Sequence, residues 1–349
     1  MNWKVRLSDL PSQFRKLESQ AMGTIHKVLS CGAIAPGRHL DAFEQSLASF
    51  TETTSAVALS SCFDAMQLVW DACQISEGDE VITVARCYPH SIEAIEQRGG
   101  KVVYVETDEH QLMDAEKVAA AVTDKTKVIM PVHLNGHTCD MNFIRLVAKK
   151  NDCLVVEDCT QAIGASCNGK QVGSMGTMAF FDLGPTSLMT GYGSAGAVVT
   201  NDEQLGEQLR ALRDQGRSGD IPRCLDNVQA AILDLKLKHL PDDIRRRREL
   251  AAVYHREFRS VDGITAPPEP KEDGQRYDVF HNFEIQSSFR AELSEYLTSC
   301  GIEHELPATE QGTAVWLPIH PEMTMDNVQL VAQCVAKLHQ TESKKRKAA

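Results

Sequence analysis

What most constrains this chain is a regular exchange of short apolar runs with helical stretches, sustained well past its midpoint. Residues 55–60, 80–84, 101–105, 127–133, 153–158, 178–182 and 197–200 have the length and β-branched content of strands. Between several of them, residues 63–74, 92–97, 115–122 and 143–149 carry helical spacing. This alternation predicts an α/β fold: a mostly parallel, seven-stranded sheet covered by helices on both faces. Ligands bind such sheets beyond the carboxyl ends of the strands, so the residues that close each strand are the first candidates for chemistry.

A second region begins near Leu225. Val228, Ile232, Leu235 and Leu237 start a long helical pattern, and Leu240-Pro241 is expected to break it before another helix through Phe258. Prolines at 267, 268 and 270 then lead into a small α+β region that closes with Val328, Val331, Val335 and Leu338 on one helical face. The expectation is a large domain over residues 1–235, N-terminal segment included, a smaller C-terminal α+β domain over 236–340, and a disordered basic tail at 341–349. At 42% hydrophobic residues the chain has apolar material for both cores.

The charge pattern argues against polyanionic partners. With 36 Lys+Arg against 48 Asp+Glu, the net charge of −12 gives no general attraction to nucleic acid or to an anionic membrane. The two cationic runs, Arg245 to Arg248 and Lys344 to Lys347, read as a solvated helix face and a frayed end. No apolar run approaches the ~20 residues of a membrane span. The 11 cysteines are scattered, the first ten residues are polar, and no pair has the tight spacing of a zinc or iron–sulfur site. A reduced, cytoplasmic protein with no metal centre is expected.

The strand ends carry recognisable motifs. Residues 81–95, PVHLNGHTCDM at 131–141, VVEDCTQAIGA at 155–165, GKQVGSMGTMAFF at 169–181 and GYGSAGAVVTND at 191–202 form one ordered set. With FEQSLASF near the N-terminus and LPIHPEM near the C-terminus, the set resembles the DegT/DnrJ/EryC1/StrS family of sugar aminotransferases. That resemblance implies the fold-type-I architecture of pyridoxal-phosphate enzymes and a homodimer with active sites at the subunit interface. It places Asp158 at the carboxylate that keeps the cofactor's pyridine nitrogen protonated. Gln161 falls beside the ring's oxygen substituent and Tyr88 at the aromatic that stacks on the ring. On pattern alone, Asp158 also suits a helix N-cap, and His133 suits either acid–base work or a bond to its own turn.

The departures from the family pattern cluster in one place. Ser187 matches the position of the lysine that forms the Schiff base, and a serine hydroxyl cannot form an imine. The phosphate-binding turn reads Ser61-Cys62-Phe63, with an aromatic where a hydroxyl is expected, and Asp182 matches a phosphate-binding serine. Pro222 and Cys224 match polar groups contributed by the partner subunit, with Arg223 one residue out of register. The connection between 301–307 and 317–323 is short where the family carries a sugar-nucleotide segment.

From these departures the chain is expected to work without a cofactor, as a non-transaminating enzyme on a small polar metabolite or sugar-derived intermediate. Asp158, His133, Ser187 and Asp182 are then its catalytic groups, and Asn135, Tyr192 and Arg223 line its substrate pocket. One alternative is a noncovalent pyridoxamine- or pyridoxal-phosphate enzyme acting on a keto sugar, with the cofactor at Tyr88, Asp158, Gln161, Ser61, Cys62 and Phe63. Another is an inactive subunit that completes the site of an active relative.

Overall fold

The computed structural model of the chain describes residues 3–215, 223–271, 274–308 and 312–348. In order, its elements are α1 (Leu10–Ser30), α2 (Arg38–Phe50), β1 (Ser55–Leu59), α3 (Cys62–Ala72), β2 (Glu80–Thr83), α4 (Pro89–Glu96), β3 (Lys101–Tyr104) and α5 (Ala115–Ala121). There follow β4 (Thr126–Ile129), α6 (Met141–Lys150), β5 (Leu154–Asp158), β6 (Ser166–Cys167), β7 (Lys170–Gln171), β8 (Met178–Asp182), β9 (Gly196–Thr200) and α7 (Glu203–Gln215). The chain ends with α8 (Asn227–Phe258), β10 (Ile264–Thr265), β11 (Arg276–Tyr277), β12 (Phe283–Ser287), α9 (Arg290–Cys300), β13 (Ala314–Leu317) and α10 (Met325–Ala348).

The seven runs expected as strands form one seven-stranded sheet in the order β1-β9-β8-β5-β4-β2-β3. Its pairs are parallel except where β9 runs against β1 and β8. Helices cover the sheet because its strands are apolar on both faces: even β1, at one edge, is buried throughout, as is β9 beside it. One core joins Val57, Met66, Trp70, Phe180 and Val198. Local chemistry starts the helices. Ser61 caps α3 by accepting the Asp64 N–H, and Asp114 and Asp140 do the same for α5 and α6. The run expected as a strand over 127–133 pairs only to Ile129, after which Val132 bridges Asp158.

Two compact units emerge, one of Ser19–Pro241 with Glu272–Asp278, the other of Met1–Glu18, Asp242–Lys271 and Val279–Ala349. The second has its own core around Tyr254, Phe258, Phe280, Phe283, Val331 and Val335 and a three-stranded sheet, β10-β12-β13.

Three expectations change. The first 18 residues belong with the C-terminal unit, because Val5 is buried in that core and pairs beside Ile302. Pro241 does not break α8: proline removes one helical N–H donor, and buried Leu237, Leu240 and Ile244 on either side keep the helix running. The expected tail continues α10 to Ala348. Among the described residues no helix is long and apolar enough to cross a membrane.

Candidate active site

The carboxyl ends of β1, β2, β5 and β8 lead into one group of side chains. Asp158 closes β5 and pairs with Phe180 of β8. Its side chain is 1% exposed. Oδ1 accepts from the Thr160 N–H at 3.1 Å and from Thr160 Oγ1 at 2.7 Å, an Asx-type turn that closes on Thr160 with no helix behind it. The N-cap reading of Asp158 is therefore not realised. Oδ2 is buried with no hydrogen-bond partner. Burial raises the Asp158 pKa, against the Thr160 bonds, the nearby His133 and the Tyr88 backbone N–H, which lower it.

Asp182 closes β8 opposite Gly196 of β9. It accepts the Gly184 N–H at 3.0 Å and lies beside Ser187, which is buried on the loop that follows. Its pKa is also raised, chiefly by burial. Gly196 is a close-approach glycine: a Cβ there would lie 2.5 Å from Ser61 O and 2.7 Å from Cys62 Cα. Asp182 is thereby set against the Ser61-Cys62 turn at the start of α3. Burial, then Asp182 and Asp158, push the Cys62 thiol well above its usual pKa.

Tyr88 precedes α4, whose first residue is Pro89; its half-buried side chain packs its ring near His90 and lies within electrostatic reach of the same groups. Burial raises its pKa, followed by Cys62, Asp182 and Asp158. Tyr88, Cys62, Asp158 and Asp182, expected from sequence, are thus brought together. Cys87 joins them unanticipated, its thiol raised to about 12 by burial and by Asp158.

Other candidates are placed elsewhere or differently. His133 is 0% exposed, its Nε2 3.0 Å from Glu157 Oε2 while Nδ1 accepts the Cys139 N–H. Glu157 also accepts from the N–H groups of Gly173, Met175 and Gly176. His133 is a sealed structural residue and not the acid–base group expected. With Glu157 and Cys159 it forms the one trio of metal-ligating atoms among the described residues, and these internal bonds already engage the histidine and the carboxylate.

Arg223 also departs from expectation: its guanidinium binds Asp71 of α3 at 3.1 Å. Its backbone stays near the strand ends, where Ser60 N–H donates to Arg223 O. Cys224 bonds the Asp214 carboxylate, and Pro222 lies outside the described residues.

Asn135 is buried, and its N–H donates to Gln161 Oε1 at 2.8 Å, so these two expected residues act as a pair. Tyr192 is 40% exposed on the loop after β8. That loop is held by two residues sequence reading passed over, Gln229 on the Tyr192 N–H and Lys236 on Thr190 Oγ1 at 3.1 Å and over the Tyr192 ring. Lys236 had a signal: a cation interrupting the apolar stripe of α8.

The pyridine cofactor implied by the resemblance can be tested against these residues. Its ring fits: the buried, unpartnered Asp158 Oδ2 is an acceptor for a ring N–H, and Tyr88 offers a face. Its phosphate fits poorly. Both turn hydroxyls, Ser60 and Ser61, already donate to Asp64 Oδ2, at 2.8 and 2.7 Å, and Asp182 adds a carboxyl.

Comparison with known proteins agrees with the fold and the motifs. Residues 15–308 match the DegT/DnrJ/EryC1/StrS aminotransferase family. The dTDP-3-amino-3,4,6-trideoxy-alpha-D-glucose transaminase of Streptomyces venezuelae is 35% identical, over 86% of this chain and 80% of that protein. The crystal structure of S. venezuelae DesV in complex with a ketimine intermediate superposes with a TM-score of 0.88 at 31% identity, covering 96% of this chain and 98% of that one. A sugar aminotransferase of Streptococcus pneumoniae in its PLP-form shares the fold, with a TM-score of 0.83 at 20% identity over 92% and 96% of the two chains. The chain belongs to the DegT/DnrJ/EryC1/StrS aminotransferase family. The expectation of a chain without a cofactor is overturned by these matches, whose members are transaminases and include a PLP-form.

Proposed function

We propose that this chain is an enzyme of sugar biosynthesis that holds a pyridoxal-type cofactor without a covalent link and acts at a keto or amino carbon of a sugar. The observation that carries the reading is Asp158, a fully buried carboxyl at a strand end with one oxygen unpartnered and close enough to Tyr88 to raise its pKa. When bound, the cofactor ring serves as an electron sink for the carbon attached to its amine. Asp158 Oδ2 would hold the proton on the ring nitrogen and Tyr88 would cover a face of the ring, while the Asn135–Gln161 bond ties the turn after Asp158 to the segment after β4. Ser187, at the position the family motif gives to lysine, leaves the cofactor free to exchange. Family membership supports a homodimer as the working species, which light scattering would check.

The test is titration of the purified chain with pyridoxamine and pyridoxal vitamers, followed by absorbance. Saturable binding with a shifted band is expected, weakened at least tenfold by Asp158→Asn. After borohydride treatment the intact mass should be unchanged. A mass increment on the protein would show a covalent link, and absence of saturable binding by any vitamer would reject the reading.

A further inference from the structure

Building on the proposed function, we infer that the pocket selects the unphosphorylated form of its pyridine ligand, with Asp182 accepting a hydrogen bond from the ligand's 5′-hydroxymethyl group. The argument starts from the end of the pocket formed by the Ser61-Cys62 turn and Asp182. Gly196 locks the two together by close approach, so they cannot separate without displacing backbone. A phosphate dianion is an acceptor only, and needs several donors there. The hydroxyls of Ser60 and Ser61 are both committed to Asp64 Oδ2, and Asp64 N–H is taken by Ser61 Oγ. Arg223, whose backbone lies beside this turn, has its guanidinium paired with Asp71 of α3.

What remains is a mixed environment. Asp182 is an acceptor that repels a dianion, while the N-terminus of α3 favours an acceptor atom. A neutral hydroxyl satisfies both at once, donating to the Asp182 carboxyl and presenting its lone pairs to the helix end. Phe63, which packs edge-on to His90, gives this end an apolar lip that a dianion would not favour and a methylene would. Asp158 keeps its role at the other end of the ring, so the two carboxyls would grip the ligand at two of its donors, the ring N–H and the 5′-hydroxyl.

The experiment compares pyridoxamine with pyridoxamine 5′-phosphate on the full chain at pH 8, each followed by absorbance or ligand fluorescence. The unphosphorylated form should bind at least tenfold more tightly. Asp182→Asn, which keeps a carbonyl acceptor for the Gly184 N–H, should shrink that preference several-fold, and Asp182→Ser should reverse it; circular dichroism would confirm that both variants fold. Asp158→Asn should weaken both ligands by similar factors and leave their ratio unchanged. Equal or tighter binding of the phosphorylated form, or a ratio insensitive to both Asp182 variants, would overturn this inference while leaving the noncovalent reading intact. Failure of both ligands to bind would overturn the two together.

Discussion

Asp158 has two oxygens in different circumstances, and the difference has a measurable consequence. Oδ1 is satisfied by Thr160, whereas Oδ2 is buried without a partner and the carboxyl pKa is raised by burial. A raised carboxyl pKa means that the folded chain binds this proton more tightly than the unfolded chain. The cost of the ionised form is therefore absent below the unfolded value and grows to its full size as pH rises through the folded one. Asp158→Asn should accordingly stabilise the ligand-free protein by about 1–2 kcal/mol at pH 8. The gain should shrink toward pH 4, as urea unfolding at the two pH values would show. A variant less stable than the parent at pH 8 would mean that Oδ2 has a partner in solution. Glu157, its neighbour in sequence, shows the opposite case: four donors surround its two oxygens, which is how a fully buried carboxylate is tolerated.

At the scale of elements, the site depends on β9 lying close against the start of α3. Gly196 meets Ser61 O and Cys62 backbone on contact, and both sides are main chain, so neither can yield as a flexible side chain would. Gly196→Ala should cost about 2 kcal/mol of stability and move Asp182 away from the turn. Thermal unfolding would measure the first effect. The second would appear as a reduced preference between the two pyridoxamine forms, and a variant with unchanged stability would show that the strand and the turn are not in close contact. The loop after β8 is held in the same spirit, by Gln229 on the Tyr192 N–H and by Lys236 on Thr190, both from α8. That helix continues through Pro241 because its buried face runs on either side of the missing donor.

For the whole molecule, the N-terminal segment is part of the C-terminal unit's structure. The N–H groups of Lys4 and Val5 donate to Gly301 O, Glu303 N–H donates to Val5 O, and Leu7 N–H donates to Glu303. Val5 is 3% exposed within the core that contains Ile302 and Leu250. Removing residues 1–8 should destabilise that unit by about 3 kcal/mol, from the lost burial of Val5 and of the backbone bonds. Hydrogen exchange should accelerate across residues 279–308 while the seven-stranded sheet keeps its protection. Equal loss in both units, or none, would contradict this assignment.

Much of the fold was legible in the sequence because its signals are local. All seven strands of the large sheet and the helices between them follow from runs of apolar and β-branched residues, and capping residues such as Ser61 and Asp140 sit where helices begin. The motifs at the strand ends likewise identified the family and singled out Tyr88, Cys62, Asp158 and Asp182. Which candidates meet was another matter. The sheet order β1-β9-β8-β5-β4-β2-β3 pairs strands distant in sequence, and that order brings these four residues near one another. His133 and Arg223 looked equally suitable as chemical groups, but Glu157 encloses the one and Asp71 captures the other. A residue's type and spacing determine what it can do; the tertiary structure decides whether its polar atoms are already engaged by the protein or left facing a ligand.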